Sequence, residues 1–391
     1  MTCYNCYMCY FRSNSAEKWQ KGVADAPPDL LHICYIAGTR NVAGNPDYEI
    51  RTTHHAILCP LPAYNPLVPL SLILTVLNES GSIAALLDSL CAQTQPPDEI
   101  VIADGGSIDR TVEIIAGYAA RLPLRLLSAP GCNISQGRNL AVRAASGDLL
   151  AVTDAGVRCD PAWLQRLTAP FADPAVMAVA GFFSPAPQTV LELAMGATVL
   201  PEVRDINPAA YLPSSRSVAF RRAAWQAAAG YPEWLDYSED VVFDLALRQR
   251  FGPFVFVPGA LVYFRPRGSL RLLARQYYQY ARGDGRANLF PRQHAVRYFA
   301  YLVVVPLLAY AALTVSPWLW AAGLLAGLAY LRLPLRRLWP RLASLSPLDR
   351  ARALLYLPAI RLTGDLAKII GYPVGLAWRP RHHPPPDSTA I

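Results

Sequence analysis

Charge is scarce in this chain. Only 16% of its 391 residues are Asp, Glu, Lys or Arg, 53% are hydrophobic, and the mean hydropathy is +0.21. A disordered, solvating chain is thereby excluded, and the balance is too apolar for an ordinary cytosolic enzyme, so part of the chain is expected in or on a membrane. The start of the chain lacks an apolar run of signal-peptide length, so no signal peptide is expected. No G-x-G-x-x-G follows the first strand-like segment, which leaves a soluble dehydrogenase without its cofactor fingerprint. The eight cysteines lack the spacing of a disulfide framework: Cys3, Cys6, Cys9, Cys34 and Cys59 crowd the N-terminal end, and Cys91, Cys132 and Cys159 are scattered. A chain of this length buries enough core without staples, and a reducing cytosolic setting is expected.

The charge that is present is basic: 36 Lys and Arg against 28 Asp and Glu, or +8. A nucleic-acid binder would interleave such charge with aromatics along a stripe. Here the densest stretch, Arg332, Arg336, Arg337 and Arg341, directly follows a long uncharged segment. That placement suits positive-inside anchoring near anionic lipid, and no nucleic-acid partner is expected.

Residues 1–67 carry no sustained apolar periodicity and end in a proline-rich run, Pro60 to Pro69. The Cys3-x-x-Cys6-x-x-Cys9 spacing, with Cys59-Pro60 later, has some likeness to iron–sulfur ligation. A fourth ligand so far away across featureless chain argues against it, and a poorly structured extension is expected instead.

From Leu70 an alternation begins. Leu70–Leu77 reads as a buried strand and Glu99–Ala103, Leu124–Ser128 and Leu149–Thr153 as further strands, with helices over Ile83–Leu90, Val112–Ala119 and Ser135–Ala145 between them. That rhythm predicts an α/β fold with a mostly parallel sheet and right-handed crossovers. Ligands then bind beyond the carboxyl ends of the strands, so Asn78-Glu79, Asp104 and Asp154 converge on one rim. Further on, Val176–Phe183 and Ser214–Phe220 read as strands, Ala223–Ala229 and Glu239–Arg250 as helices, and Phe254–Val257 with Leu261–Phe264 as a short strand pair.

No formal charge falls between Arg297 and Arg332. That stretch is too long for one span of ~20 residues and slightly short for two. Ser316-Pro317 near its middle predicts a helical hairpin with both ends facing the cytoplasm. In Leu354–Trp378, Arg361, Asp365 and Lys368 share one helical face and Leu362, Leu366, Ile369 and Ile370 lie elsewhere, as in a helix at the bilayer interface. The expected organisation is an extension over 1–67, an α/β domain over 68–290, a hairpin plus interfacial helix over 291–380, and a tail over 381–391.

Four constellations carry chemistry. Asp104-Gly-Gly-Ser-Ile-Asp109-Arg-Thr111 brings backbone close to a ligand beside a carboxylate that can accept from a base or ribose, although an Asx turn explains the same residues. Asp154-Ala-Gly156 sets a carboxylate where a hard cation on a diphosphate would be held. Tyr237-Ser-Glu239-Asp240 offers a general base at a helix start, where acidic residues are also ordinary dipole complements. Gln276-Tyr-Tyr-Gln279-Tyr-Ala-Arg282-Gly283 places Arg282 to neutralise a phosphate leaving group and Gln279 to orient an acceptor, or else simply lines a membrane interface.

In this order the four elements resemble the inverting glycosyltransferases of family 2, over roughly residues 69 to 290. Leu74-Thr-Val-Leu-Asn-Glu79 is similar to the family's first strand and acidic nucleotide contact. The run 104–111 is similar to its D-G-S-x-D-x-T turn, implying nucleotide contact by Asp104. Gly137-Arg138-Asn139 followed by Ser146-Gly147-Asp148 is similar to the stretch leading to the metal motif, implying a donor-side role for Arg138. Glu239-Asp240 resembles the catalytic E-D pair, with Asp240 as base, and Gln279-x-x-Arg282-Gly283 resembles the Q-x-x-R-W box.

The resemblance implies the GT-A nucleotide-diphospho-sugar transferase fold with C-terminal transmembrane helices. It also implies a nucleotide-sugar donor, a lipid-linked or envelope glycan acceptor, and Mg or Mn on Asp154. Such a protein would sit in the inner membrane, multi-pass, with the catalytic domain in the cytoplasm. Two departures stand out. Gly156 replaces the second D-x-D carboxylate, and Gly283 replaces the tryptophan, which favours transfer of a single sugar over processive synthesis. Two alternatives remain open: transfer to polyprenyl phosphate, and a degenerate membrane scaffold that binds nucleotide sugar without turning it over.

Overall fold

A computed structural model of the protein describes residues 68–382. The expected extension over 1–67, with its cysteine cluster, and most of the tail lie outside the described residues. Strands and helices alternate at first as the periodicity predicts: β1 (Leu70–Val76), α1 (Ile83–Cys91), β2 (Glu99–Asp104), α2 (Thr111–Ala116), β3 (Leu124–Ser128), α3 (Ile134–Ala144) and β4 (Leu149–Val152). Successive strand residues point to opposite faces, so Leu70, Leu72, Leu74 and Val76 enter one core while Ile73 enters the other. With both faces covered, β1, β2 and β4 are mostly apolar, whereas β3 at the sheet edge has no buried residue. Asn133 caps α3, accepting from the Gln136 backbone N–H while the Gln136 side chain accepts from its own.

The second half departs from a mostly parallel sheet. It adds β5 (Val157–Cys159), α4 (Trp163–Thr168), β6 (Ala178–Pro185), α5 (Val190–Val199), β7 (Val218–Arg221), α6 (Arg222–Ala227), α7 (Glu239–Phe251) and β8 (Val255–Phe264). The eight strands run in the order β3-β2-β1-β4-β7-β6-β8-β5. The first four are parallel. Beyond β4 the sheet is mixed, because β7 is antiparallel to both β4 and β6, β8 is parallel to β6, and β5 is antiparallel to β8. The expected pair Phe254–Val257 and Leu261–Phe264 is one strand. Pro258-Gly259, which reads as a turn, is accommodated where the β6–β8 register shifts between Ala180 and Phe182.

Four further helices follow: α8 (Leu270–Ala287), α9 (Pro291–Phe299), α10 (Val305–Thr314) and α11 (Leu319–Leu342), and the described residues close with α12 (Pro347–His382). A π-helical turn over Ala300–Val304 joins α9 to α10. The resulting run, Pro291–Thr314, is the one helix among the described residues long and apolar enough to cross a bilayer. The apolar part of α11 stops at Leu331, short of the ~20 residues of a span. Past that point Arg336 and Arg337 both pair with Asp205, and Arg341 lies 3.8 Å from Glu202. This basic cluster is thus tied largely to protein carboxylates, where lipid contact was expected.

The orientation of α12 is also the reverse of the one expected. Arg361, Asp365 and Lys368 are buried, while Leu355 and Ile370 are 71% and 60% exposed. Asp365 accepts from Arg297 Nε at 2.9 Å and from the Tyr301 hydroxyl at 3.0 Å, and Lys368 sits over the Tyr277 ring. The charged face therefore packs inward and the apolar face looks out. Small residues let α12 meet α8 backbone to backbone. A Cβ at Gly371 would stand 2.4 Å from the Tyr278 carbonyl oxygen, and one at Gly375 would stand 2.1 Å from that of Arg282. Leu338, Ala353, Leu357 and Ile360 share one core with Leu70 and Leu72, so packing continues across residue 290.

Candidate active site

The carboxyl ends of β1, β2 and β4 open onto a cleft of about 910 Å³. Glu79 and Gly105 line it from the first two strand ends, Asp154 to Val157 from the third, and Met195, Val199 and Leu200 supply an apolar wall. Asp236 and Tyr237 precede α7, Arg265 to Gly268 follow β8, and Gln276 comes from α8.

The β1 and β2 ends are sewn together. Asn78 Oδ1 accepts from the Ile108 backbone N–H at 2.9 Å, the Asn78 N–H donates to Ser107 Oγ at 2.9 Å, and the Glu79 N–H donates to Thr111 Oγ1 at 2.7 Å. Asp104 is buried and accepts from the backbone N–H groups of Gly106 and Ser107. It holds its own turn, as an Asx residue does. Gly106 has a φ of +98°, a backbone state that favours glycine. Hydrogen bonds from Thr111 and Ser80 hold the Asp109 carboxyl below the usual range.

Arg138, on α3, is the hub. Its Nη1 lies 2.6 Å from Glu239 Oε1 and its Nη2 3.0 Å from Asp154 Oδ1, and the guanidinium sits over the Tyr231 ring. One buried cation thereby joins the rim after β4 to the start of α7, 85 residues further on. Arg138 is 2% exposed and Glu239 5%, so both position the site from behind. Asp240 is half-buried, and its Oδ1 accepts from the Val241 N–H at 2.9 Å. Burial raises its pKa, opposed by Arg138 and reinforced by the negative charge of Asp154. A carboxyl held in that way is a stronger base.

Ser238 precedes α7 in a left-handed conformation, φ +63°, and its hydroxyl donates to Asp284 Oδ1 at 2.9 Å. The acidic turn is thus pinned to α8. Gln279 and Arg282 are not among the residues that line the cleft. Gln276, one helical turn earlier, lines the cleft and donates to the Tyr280 hydroxyl at 2.7 Å. Arg282 faces Asp236 at 3.7 Å, and Arg286 approaches the same carboxylate at 2.9 Å.

Sequence reasoning missed Arg216 and the Arg265-Pro-Arg267-Gly268 loop, which also line the cleft. The loop was legible as a basic run directly after a strand. Arg216, a lone arginine between serines, carries no such signal.

The resemblance expects Mg or Mn on Asp154. The side chains present do not fit a protein-built metal site. Asp154 is engaged by Arg138, Asp236 by Arg286, and Glu79 accepts from the Ser82 hydroxyl. No three His, Cys, Asp or Glu side chains converge among the described residues.

A half-parallel sheet with a rim carboxylate after β4 and an acidic pair at a later helix start defines a GT-A architecture. Residues 71–194, about a third of the chain, match the family model for glycosyl transferase family 2, and over that stretch the chain is similar to that family. It is 32% identical over 126 residues to the validoxylamine A glucosyltransferase of Streptomyces hygroscopicus subsp. limoneus, covering 31% of this chain and 28% of that protein. It is 29% identical over 279 residues to the succinoglycan biosynthesis protein ExoA of Rhizobium meliloti (strain 1021), covering 65% of this chain and 83% of that one. The chain thus spans well under a third of one relative and most of the other. The mannosyltransferase PcManGT from Pyrobaculum calidifontis, solved with GDP-Man and Mn2+, is similar at a TM-score of 0.52 and 22% identity, covering 78% of this chain and 89% of that one. That likeness is one of fold.

Proposed function

We propose that the protein moves one sugar from a nucleotide-diphosphate donor to a hydroxyl of a lipid-linked or envelope glycan acceptor, with inversion at the anomeric carbon. The observation that carries this proposal is the Arg138 bridge, which brings the donor-side carboxylate Asp154 and the Glu239-Asp240 pair to one site. The acceptor oxygen attacks the anomeric carbon, and its proton passes to Asp240. The bond from that carbon to the diphosphate oxygen breaks, and its electron pair leaves with the nucleoside diphosphate. One displacement without a covalent sugar intermediate inverts the centre, and no second catalytic carboxylate is required. Glu239 and Arg138 hold Asp240 in place, and the turn at 104–107 with Glu79 receives the nucleoside.

The acceptor class is supported by the ExoA relative and by the outer surface of the C-terminal helices. Leu313, Val315, Trp318, Leu324, Leu355 and Ile370 are exposed by 60–83%. An apolar surface of that extent suits a bilayer, with Pro291–Thr314 inserted and the cleft facing the cytoplasmic headgroups. The test supplies the protein, in bilayers, with radiolabelled UDP- and GDP-sugars and a lipid extract. Label entering the lipid fraction is expected. Absence of transfer from every donor, with nucleotide still bound, would instead make the protein a scaffold.

A further inference from the structure

Departure of the diphosphate adds one negative charge to a group that already carries charge, and the cleft must meet it. In the D-x-D pattern that this chain resembles, a second carboxylate helps to hold a cation there. Here that position is Gly156, where an added Cβ would meet no atom within 4 Å, and Asp154 is held 3.0 Å from Arg138 Nη2.

The cleft offers positive charge beside Asp154 instead. Arg216 lies on the loop before β7, with its guanidinium 4.6 Å from the Phe264 ring centroid and 5.8 Å from that of Phe183. Its Nη1 donates to Ser214 Oγ at 2.9 Å, and its Nε stands 3.9 Å from Asp154 Oδ2. The side chain is 20% exposed, so it is anchored by packing yet reachable from the cleft. Arg267 lines the same cleft from the loop after β8, its Nε donating to Gln276 Oε1 at 3.3 Å. A rigid guanidinium held against aromatic rings matches the oxygens of a diphosphate in a way that an ammonium does not.

We propose that Arg216, assisted by Arg267, neutralises the departing nucleoside diphosphate in place of a bound divalent cation, so that donor binding and transfer proceed without metal. This rests on the nucleotide-sugar function proposed above. The electron pair of the broken sugar–phosphate bond stays on the terminal phosphate oxygen, and the Arg216 fork stabilises it through charge-assisted hydrogen bonds.

The experiment titrates UDP and GDP into the full-length protein in detergent by calorimetry, once with excess EDTA and once with MnCl2. The affinity for the preferred nucleotide is expected to agree within about twofold between the two conditions. Arg216→Gln is expected to weaken it by about tenfold or more, the loss of one charge-assisted contact, with Arg216→Lys intermediate. Gly156→Asp, placed in open space, restores the missing carboxylate whether or not the Arg216 variants fold. It is expected to acquire an Mn2+-dependent gain in nucleotide affinity that the natural sequence lacks. Loss of binding in EDTA with recovery in MnCl2 overturns the proposal and leaves the nucleotide-sugar function standing. Absence of binding by either nucleotide under both conditions overturns the two together.

Discussion

A Cβ on Gly283 would stand 2.3 Å from the carbonyl oxygen of Tyr237. The helix α8 thus meets the acidic turn with bare backbone, and the tryptophan of the resembled box has no room there. Gly283→Ala is expected to lower stability by about 1–3 kcal/mol through overpacking, more than the ~0.5–1 kcal/mol that alanine gains over glycine inside a helix. Transfer is expected to fall as Ser238 to Asp240 shift. Gly156→Ala, with nothing near its Cβ, should leave stability within ~0.5 kcal/mol. Thermal unfolding of the two variants side by side checks this.

Arg138→Gln is expected to be costly for a different reason. It strands the buried Glu239 and frees Asp154, and breaking a buried ion pair from one side costs about 3–5 kcal/mol. Denaturant unfolding measures the loss. The double variant Arg138→Gln, Glu239→Gln should recover part of it, since the stranded charge is then gone.

The pH dependence follows from burial. Asp244, one turn beyond Asp240 on α7, is buried with one carboxyl oxygen unpartnered, and desolvation raises it well above the usual carboxylate range. The folded state therefore keeps a proton that the unfolded chain releases above about pH 4. That contribution is full in acid and is lost as pH rises through the raised value. Asp244→Asn should match the natural protein in acid and exceed it in stability at higher pH, read from denaturant midpoints across pH. Asp240 is raised as well, so kcat/KM should climb with pH through its value and level off above it.

Tryptophan reports on the proposed membrane face. Trp318, between α10 and α11, is 83% exposed and Trp320 51%. In bilayers containing brominated lipid their fluorescence should be quenched, and Trp318→Phe with Trp320→Phe should remove most of that quenching. Equal quenching with and without these two residues would place the surface outside the bilayer.

The first four strands were legible because each is an apolar run followed by a turn signal, and local periodicity decides such elements. The mixed half was not, because β7 and β8 are placed by pairing across long sequence separations, and Pro258-Gly259 imitates a turn inside one strand. Asp154 and the Glu239-Asp240 pair were visible as polar groups at element ends. Their joint hub was not, since Arg138 on the face of α3 reads like any arginine until folding places Glu239 against it. On α12 the charges were seen to share one face. Which way that face turns is set by Arg297 and Tyr301, which no pattern within α12 contains.

The account turns on Asp240 as the base that frees the acceptor oxygen. The most direct measurement compares Asp240→Asn with the natural protein for nucleotide affinity and for sugar transfer to a hydroxyl acceptor in the same preparation. Affinity is expected to stay within about twofold while transfer falls by about 10²–10⁴. Transfer at the natural rate by Asp240→Asn would contradict the account.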